Sequence, residues 1–283
     1  MGVKHALDGS RVQVVTQSMT TILEVKSVTK VFDGVRALDN FSCELKAGSI
    51  TALIGPNGSG KTTLLNIITG FLQADSGHVF FRPPGGGEYK VDDLAPFEVA
   101  RLGLSRTFQN TRLFRQMSVM ENMLLGARDA GGEGLTSAIL QPARMRSHEA
   151  IKREKAVALL EQVGLLAKGD GLARDLSQGQ RKLLEIARTL MSEVQLLLLD
   201  EPTAGLFPET IEKIREIIRG TQKVGTTILF IEHDMAVVRQ LSDRVIVLDG
   251  GGKVAEGTPD KILNHEIISR SGLTRGSFLR DSK

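Results

Sequence analysis

The chain has no tryptophan, one tyrosine and one cysteine among 283 residues. With eleven phenylalanines as almost the whole aromatic complement, the composition argues against stacking platforms for single-stranded nucleic acid. Cys43 stands alone, which rules out a disulfide framework and a cysteine zinc site and fits a reducing compartment. Charge of one sign is also scarce. The formal net charge is +3, with basic and acidic residues interspersed, so no basic face marks a nucleic-acid partner. No run approaches the roughly 18–20 apolar residues that cross a bilayer as a helix. Residues Met1–Ser18 mix Lys4, His5, Asp8 and Arg11 with short apolar stretches. That segment has neither the apolar core nor the small-residue cleavage site of an export signal. A membrane, if the chain meets one, is expected to be reached from the cytoplasm through another protein.

What is present is an ordinary globular balance, 41% hydrophobic and 24% charged, with length enough for one large domain or two small ones. After a tail over residues 1–20, two strand-like segments, Ile22–Val31 and Ala37–Leu45, flank a turn at Asp33-Gly34 and suggest a small antiparallel layer. Ser49–Ile54 reads as a buried strand, and Arg82–Gly87 as a Pro/Gly turn. Between Gln109 and Ser177 the pattern turns helical. One helix is expected near Ser118–Leu125, then a loop with Gly131, Gly132 and Gly134, then a long helix over Ser147–Val163. Beyond Ser177, a helix carrying Leu183, Leu184, Ala187, Leu190 and Met191 leads to the continuous apolar run Leu196–Leu199. Such a run fits a parallel strand covered on both faces. Helices at Pro208–Arg219 and Asp234–Leu241 alternate with strands at Thr226–Ile231 and Arg244–Leu248, and Thr258-Pro259 opens a last helix. The alternation predicts a parallel α/β sheet with an antiparallel β layer before it and a helical insertion within it.

Gly55-Pro56-Asn57-Gly58-Ser59-Gly60-Lys61-Thr62, followed by Thr63, matches GxxxxGK[ST] between a strand and a helix. Glycines let successive N–H groups converge on phosphate oxygens, and the helix start adds its positive dipole end. Lys61 supplies a cation for the β- and γ-phosphates, and the Thr62 hydroxyl can ligate Mg²⁺. Asp200 and Glu201 close the apolar strand at Leu199. An aspartate there holds Mg²⁺, and Glu201 is placed to orient and deprotonate an attacking water. His233, just past the strand ending at Ile231, is expected to face the ligand crevice.

With these residues in view, the sequence resembles the ABC ATPase family from about Leu23 to Thr258. Leu176-Ser177-Gln178-Gly179-Gln180 is similar to the family signature LSGGQ. Gln109, in Arg106-Thr107-Phe108-Gln109, matches the Q-loop glutamine, and His233, in Ile231-Glu232-His233-Asp234-Met235, the switch histidine. The resemblance implies a P-loop NTPase core over residues 21–258 with a helical subdomain at about 112–178, and a C-terminal helix and tail over 259–283. It implies ATP and Mg²⁺ as ligands, Phe32 stacking on adenine, and Glu201, His233 and Gln109 in catalysis. Thr62, Gln109 and Asp200 would hold the metal, and Ser177, Gln178, Gly179 and Gln180 the nucleotide of a facing subunit. Two sequence features depart from the pattern: Gln178 stands where the signature has glycine, and Phe207 closes Ala204-Gly205-Leu206-Phe207 where many members have aspartate.

Further stretches narrow the resemblance. Gly70-Phe71, Glu121-Asn122, the insertion around Leu135–Arg146 and Leu184-Glu185-Ile186-Ala187-Arg188 resemble ATP-binding subunits of importers for branched-chain amino acids, a group that includes urea and amide importers. The implied partners are a second ATPase subunit, identical or related, integral-membrane permease subunits and, indirectly, a substrate-binding protein, with no nucleic acid. The implied location is the cytoplasmic side of the cell membrane. A lipopolysaccharide-type export motor shares the core. A soluble translation or repair ATPase would be longer or tandem, and a simple P-loop kinase would leave Ser177–Gln180 unexplained.

Overall fold

The fold is that of a computed structural model, which describes residues 20–107, 113–127 and 142–264. Ten strands and eight α-helices follow among the described residues. Strands β1 (Thr21–Phe32) and β2 (Val35–Lys46) form a hairpin around Asp33-Gly34. They pair with β4 (Ser76–Phe81) and β5 (Tyr89–Lys90) in an antiparallel sheet of order β2-β1-β4-β5. The second sheet holds β3 (Ile50–Ile54), β6 (Leu104–Arg106), β7 (Leu196–Asp200), β8 (Thr227–Ile231), β9 (Arg244–Asp249) and β10 (Gly252–Gly257). Its order is β10-β9-β3-β8-β7-β6, parallel throughout except for the antiparallel edge strand β10.

Every residue of β3, β7 and β8 is buried, because the sheet is covered on both faces. Alternation sorts the side chains. Leu196 and Leu198 join the core against the antiparallel sheet, with Leu23, Phe41 and Phe81. Leu197 and Leu199 join the opposite core, with Leu184, Ile214 and Val238. A period of two thus hides inside an unbroken apolar run.

The helices are α1 (Lys61–Ile68), α2 (Pro96–Arg101), α3 (Val119–Gly126), α4 (Pro142–Gln162), α5 (Gln178–Thr189), α6 (Pro208–Lys223), α7 (Met235–Leu241) and α8 (Pro259–Leu263). Their starts follow local chemistry. Ser118 and Ser177 cap α3 and α5, each reciprocated by the residue three further on, Glu121 or Gln180. Pro208 and Pro259 open α6 and α8. Helix α4 begins at Pro142, five residues before the expected Ser147. Within it Ile151 is 63% exposed and Ala156 and Leu160 are buried, a stripe spaced i, i+4, i+7 that Val163, the residue after the helix, completes. Strands β4, β6 and β10 carry no strong signal of their own and form by pairing with longer neighbours. The glycines expected in a loop at 131–134, Phe108 and Gln109, the first 19 residues and those after 264 lie outside the described residues. No helix among the described residues is long and apolar enough to cross a membrane.

Candidate nucleotide site

Sheet order builds the site. β3 lies beside β8, and β8 beside β7, with Leu53 level with Ile231 and Ile231 level with Asp200. Three carboxyl ends therefore release their loops at one place, outside the sheet, where ligands of open α/β folds bind. The cleft there has a volume of about 500 Å³ and is lined by Asn57, Gly58, Lys61, Thr62, Glu201 and His233 among others.

The loop from Gly55 to Gly60 is shaped by close approach. Gly60 has φ 105°, and a Cβ there would overlap the Ala37 carbonyl oxygen; a Cβ at Gly55 would overlap that of Leu248. Only glycine fits either position. Lys61 is 6% exposed, and its Nζ donates to the carbonyls of Gly55 and Pro56, both at 2.8 Å. Burial pulls the Lys61 ammonium below the usual lysine range, while the Glu201 and Asp200 carboxylates oppose that pull. Among the described residues Ser59 Oγ is buried without a hydrogen-bond partner. Thr62 is exposed and Thr63 half-buried, both on the first turn of α1. An anionic ligand fits this cradle: a held ammonium, an unsatisfied hydroxyl and the amino end of a helix.

Glu201 follows β7 in the left-handed region, φ 46°, an uncommon conformation for a residue other than glycine and of the kind found at functional sites. Its N–H donates to the Ile231 carbonyl at 3.1 Å. Its Oε1 stands 3.1 Å from His233 Nε2, so the side chains from the ends of β7 and β8 meet. Asp200 is 3% exposed, and its Oδ2 accepts from Arg106 Nη2 at 2.8 Å. Arg106 Nη1 donates also to Asn66 Oδ1 of α1 at 2.6 Å. Nothing local in Arg106-Thr107-Phe108-Gln109 signals this role for Arg106, because its partner Asp200 lies 94 residues away.

Phe32 ends β1, 44% exposed, with Lys30 Nζ 5.5 Å from its ring centroid. It does not line the cleft, and neither do Ser177, Gln178, Gly179 and Gln180. These four open α5, where Ser177 Oγ accepts from the Gln180 N–H and Gln180 Oε1 from the Ser177 N–H. A Cβ on Gly179 would come within 2.9 Å of Thr210 Oγ1 on α6. Phe207 caps that helix and is 78% exposed. The structure thus joins the phosphate loop, Glu201 and His233 within one cleft and leaves Ser177–Gln180 out of it, while Gln109 falls outside the described residues. A second, mostly apolar groove of about 480 Å³ is lined by Thr69, Phe71, Phe97, Val99, Arg106 and Arg188, among others. Phe71 and Phe97 are 55% and 59% exposed.

A phosphate loop, an acidic strand end and a neighbouring histidine, all outside the carboxyl ends of a mostly parallel sheet, define a P-loop nucleoside triphosphatase. The family model described as ABC transporter matches residues 38–204, and the chain belongs to that family as an ATP-hydrolysing cassette. It is 38% identical over 253 residues to the high-affinity branched-chain amino acid transport ATP-binding protein LivG of Escherichia coli (strain K12), covering 89% of this chain and 97% of that one. Among solved structures it is similar to the ADP conformation of MJ1267, an ATP-binding cassette of an ABC transporter. There the TM-score is 0.75 and the identity 33%, covering 90% of this chain and 99% of that one. It is also similar to the cassette MJ0796 in a dimeric post-hydrolysis state bound to ADP and Pi. That match has TM-score 0.68 and 26% identity, covering 84% of this chain and 99% of that one.

Proposed function

We propose that this chain is the ATPase subunit of an importer for branched-chain amino acids, driving a separate permease from the cytoplasmic face of the membrane. The observation that carries the chemistry is the meeting of Lys61, Glu201 and His233 at the ends of three adjacent strands. The likeness to LivG over nearly its whole length supports the substrate class. Residues 21–258 are the proposed ATPase unit, with the helical segment inserted at about 112–178.

Lys61 and the loop Gly55–Gly60 bind the β- and γ-phosphates, with Thr63 beside them, and Phe32 packs on the adenine. Glu201 orients the attacking water and takes its proton, and His233 holds the Glu201 carboxylate in place from the next strand. Thr62 and Asp200, with Gln109, are the proposed ligands of Mg²⁺. Their hard oxygen atoms suit that ion, which when bound neutralises charge on the phosphates. Among the described residues the cleft is lined by Ala37, the phosphate loop and start of α1, Glu201 and His233, and the proposed donors facing Lys61 come from a second subunit. Ser177, Gln178, Gly179 and Gln180, at the amino end of α5, are those donors, in a second copy or a sister subunit. The groove around Phe71 and Phe97 offers exposed aromatic surface beside β6, the strand leading to Gln109, and is the proposed seat for an apolar segment of the permease.

The test is reconstitution. The chain is purified from gently solubilised membranes with the subunits that accompany it, placed in proteoliposomes with ATP inside the transporting compartment, and supplied with labelled leucine. ATP-dependent accumulation of leucine, lost on Lys61→Ala, is the expected result. ATP-driven efflux, or hydrolysis with no movement of any branched-chain amino acid, would overturn the assignment.

A further inference from the structure

Glu232 lies between the end of β8 and His233, 3% exposed and outside the lining of the nucleotide cleft. A buried carboxylate is costly unless hydrogen bonds surround it, and here donors reach it from two chain segments. Its Oε1 accepts from the Thr203 N–H at 2.8 Å and from the Thr203 hydroxyl at 2.6 Å. Its Oε2 accepts from the His233 N–H at 3.2 Å, and the backbone of Asp234 donates as well. Burial pushes the Glu232 carboxyl above the usual range, and these hydrogen bonds oppose that shift.

The two segments are those that carry the acid and the histidine of the cleft. Glu201-Pro202-Thr203 forms the turn after β7. Pro202 has no N–H, so the donors available to hold that turn are the N–H of Glu201, the N–H of Thr203 and the Thr203 hydroxyl. The first goes to the Ile231 carbonyl, and the other two go to Glu232. A non-glycine residue at φ 46° persists only where its surroundings over-determine it. The Thr203–Glu232–His233 bridge supplies that determination.

We infer that Glu232 is a positioning residue for hydrolysis, joining the turn that carries Glu201 to the loop that carries His233 so that the two side chains meet. The inference rests on the roles given above to Glu201 and His233. It also explains why the residue type matters. Every partner is a donor, so two acceptor oxygens are needed, and glutamine offers one. Glu232→Gln keeps the volume but turns an amide N–H against a donor on one arm of the bridge. Thr203→Val removes one bond from the opposite end and leaves the backbone arm intact.

The experiment uses the purified full-length chain, with phosphate release from Mg·ATP, affinity for a fluorescent ATP analogue and thermal unfolding measured in parallel. Glu201→Gln and His233→Ala serve as references. Glu232→Gln should lower kcat by about 10- to 100-fold, the scale set by a misplacement near 1 Å, with KM and analogue affinity within about twofold. Thr203→Val should lower kcat less, and the double variant should fall short of the product of the two single effects, because both act on one bridge. The ring ¹⁵N resonance of His233 should move in Glu232→Gln without nucleotide, a change that loss of stability alone does not produce. Wild-type kcat in Glu232→Gln beside an inactive Glu201→Gln overturns the inference. So does a fall in kcat that merely follows the folded fraction while Thr203→Val is silent. Retained turnover in both Glu201→Gln and His233→Ala instead removes the assignment on which the inference stands.

Discussion

Arg106→Met takes the cation from an ion pair that solvent barely reaches. The side chains of Arg106 and Asp200 are each 4% exposed, with Nη2 and Oδ2 2.8 Å apart. Methionine keeps much of the apolar stem, so little packing is lost. What disappears is the compensation of a buried carboxylate. Breaking such a pair from one side costs about 3–5 kcal/mol, because the remaining charge stays desolvated. The hydrogen bond to Asn66 Oδ1 is lost too, adding about 1 kcal/mol. In a domain of this size each kcal/mol lowers Tm by about 2–4 °C, so the variant should unfold roughly 10–20 °C below the parent. The assay is scanning calorimetry on Arg106→Met, Asp200→Asn and the double variant. In the double variant no buried charge is left behind, and a coupling of about 1–3 kcal/mol should restore part of the loss. An Arg106→Met midpoint within about 2 °C of the parent would refute the reasoning, as would losses in the double variant equal to the sum of the singles. Either result would mean that water or another group already neutralises Asp200.

Lys61→Ala should abolish tight nucleotide binding; equilibrium titration with a fluorescent ATP analogue checks it, and micromolar affinity in the variant would end the phosphate assignment. Glu201→Gln should bind ATP, hydrolyse it very slowly and elute as a dimer with ATP on a sizing column; near-normal turnover would remove Glu201 as the base. Ser177→Arg should cost about 1 kcal/mol through loss of the α5 cap, spare binding by the monomer and block hydrolysis. Hydrolysis that survived would defeat the cross-subunit role. Cys43 is 6% exposed, and burial, helped by the charge of Glu256, pushes its thiol up to about 12. Maleimide at pH 8 should therefore label it slowly in the native chain and rapidly in denaturant, and fast native labelling would contradict the packing around β2.

The groove and the cleft share a residue, which bears on how the subunit could work. Arg106 lines the groove at Phe71 and Phe97 while holding Asp200 and Asn66. A permease segment seated there would lie against the side chain that grips the proposed metal ligand. Arg106→Met removes that grip and leaves Asp200 in place, so the ratio of its ATPase rates with and without permease, set against the parent's ratio, reports whether the shared residue matters for transport.

Contiguous chemistry was legible from the residues alone. The phosphate loop is one run of backbone, Gly55–Thr62, so its motif is local, although the approach of Ala37 and Leu248 that excludes a Cβ at Gly60 and Gly55 is tertiary. The serine caps of α3 and α5 and the buried run Leu196–Leu199 are local in the same sense. Weak strands were not legible. β4 contributes only Val79 and Phe81 to the core and depends on register with Val25 and Leu23 of β1. β10 is a polar edge strand with glycine at both ends, set in place by β9. Sequence alone determined which residue types were available for phosphate, water and metal, because those properties belong to side chains and short loops. Only the tertiary structure decided which of them meet. The β8-β7 adjacency brings Glu201 to His233 across 32 residues and Thr203 to Glu232 across 29, and the β7-β6 adjacency brings Asp200 to Arg106 across 94. Strand adjacency is a long-range pairing set by burial on both sheet faces, and no local pattern encodes it.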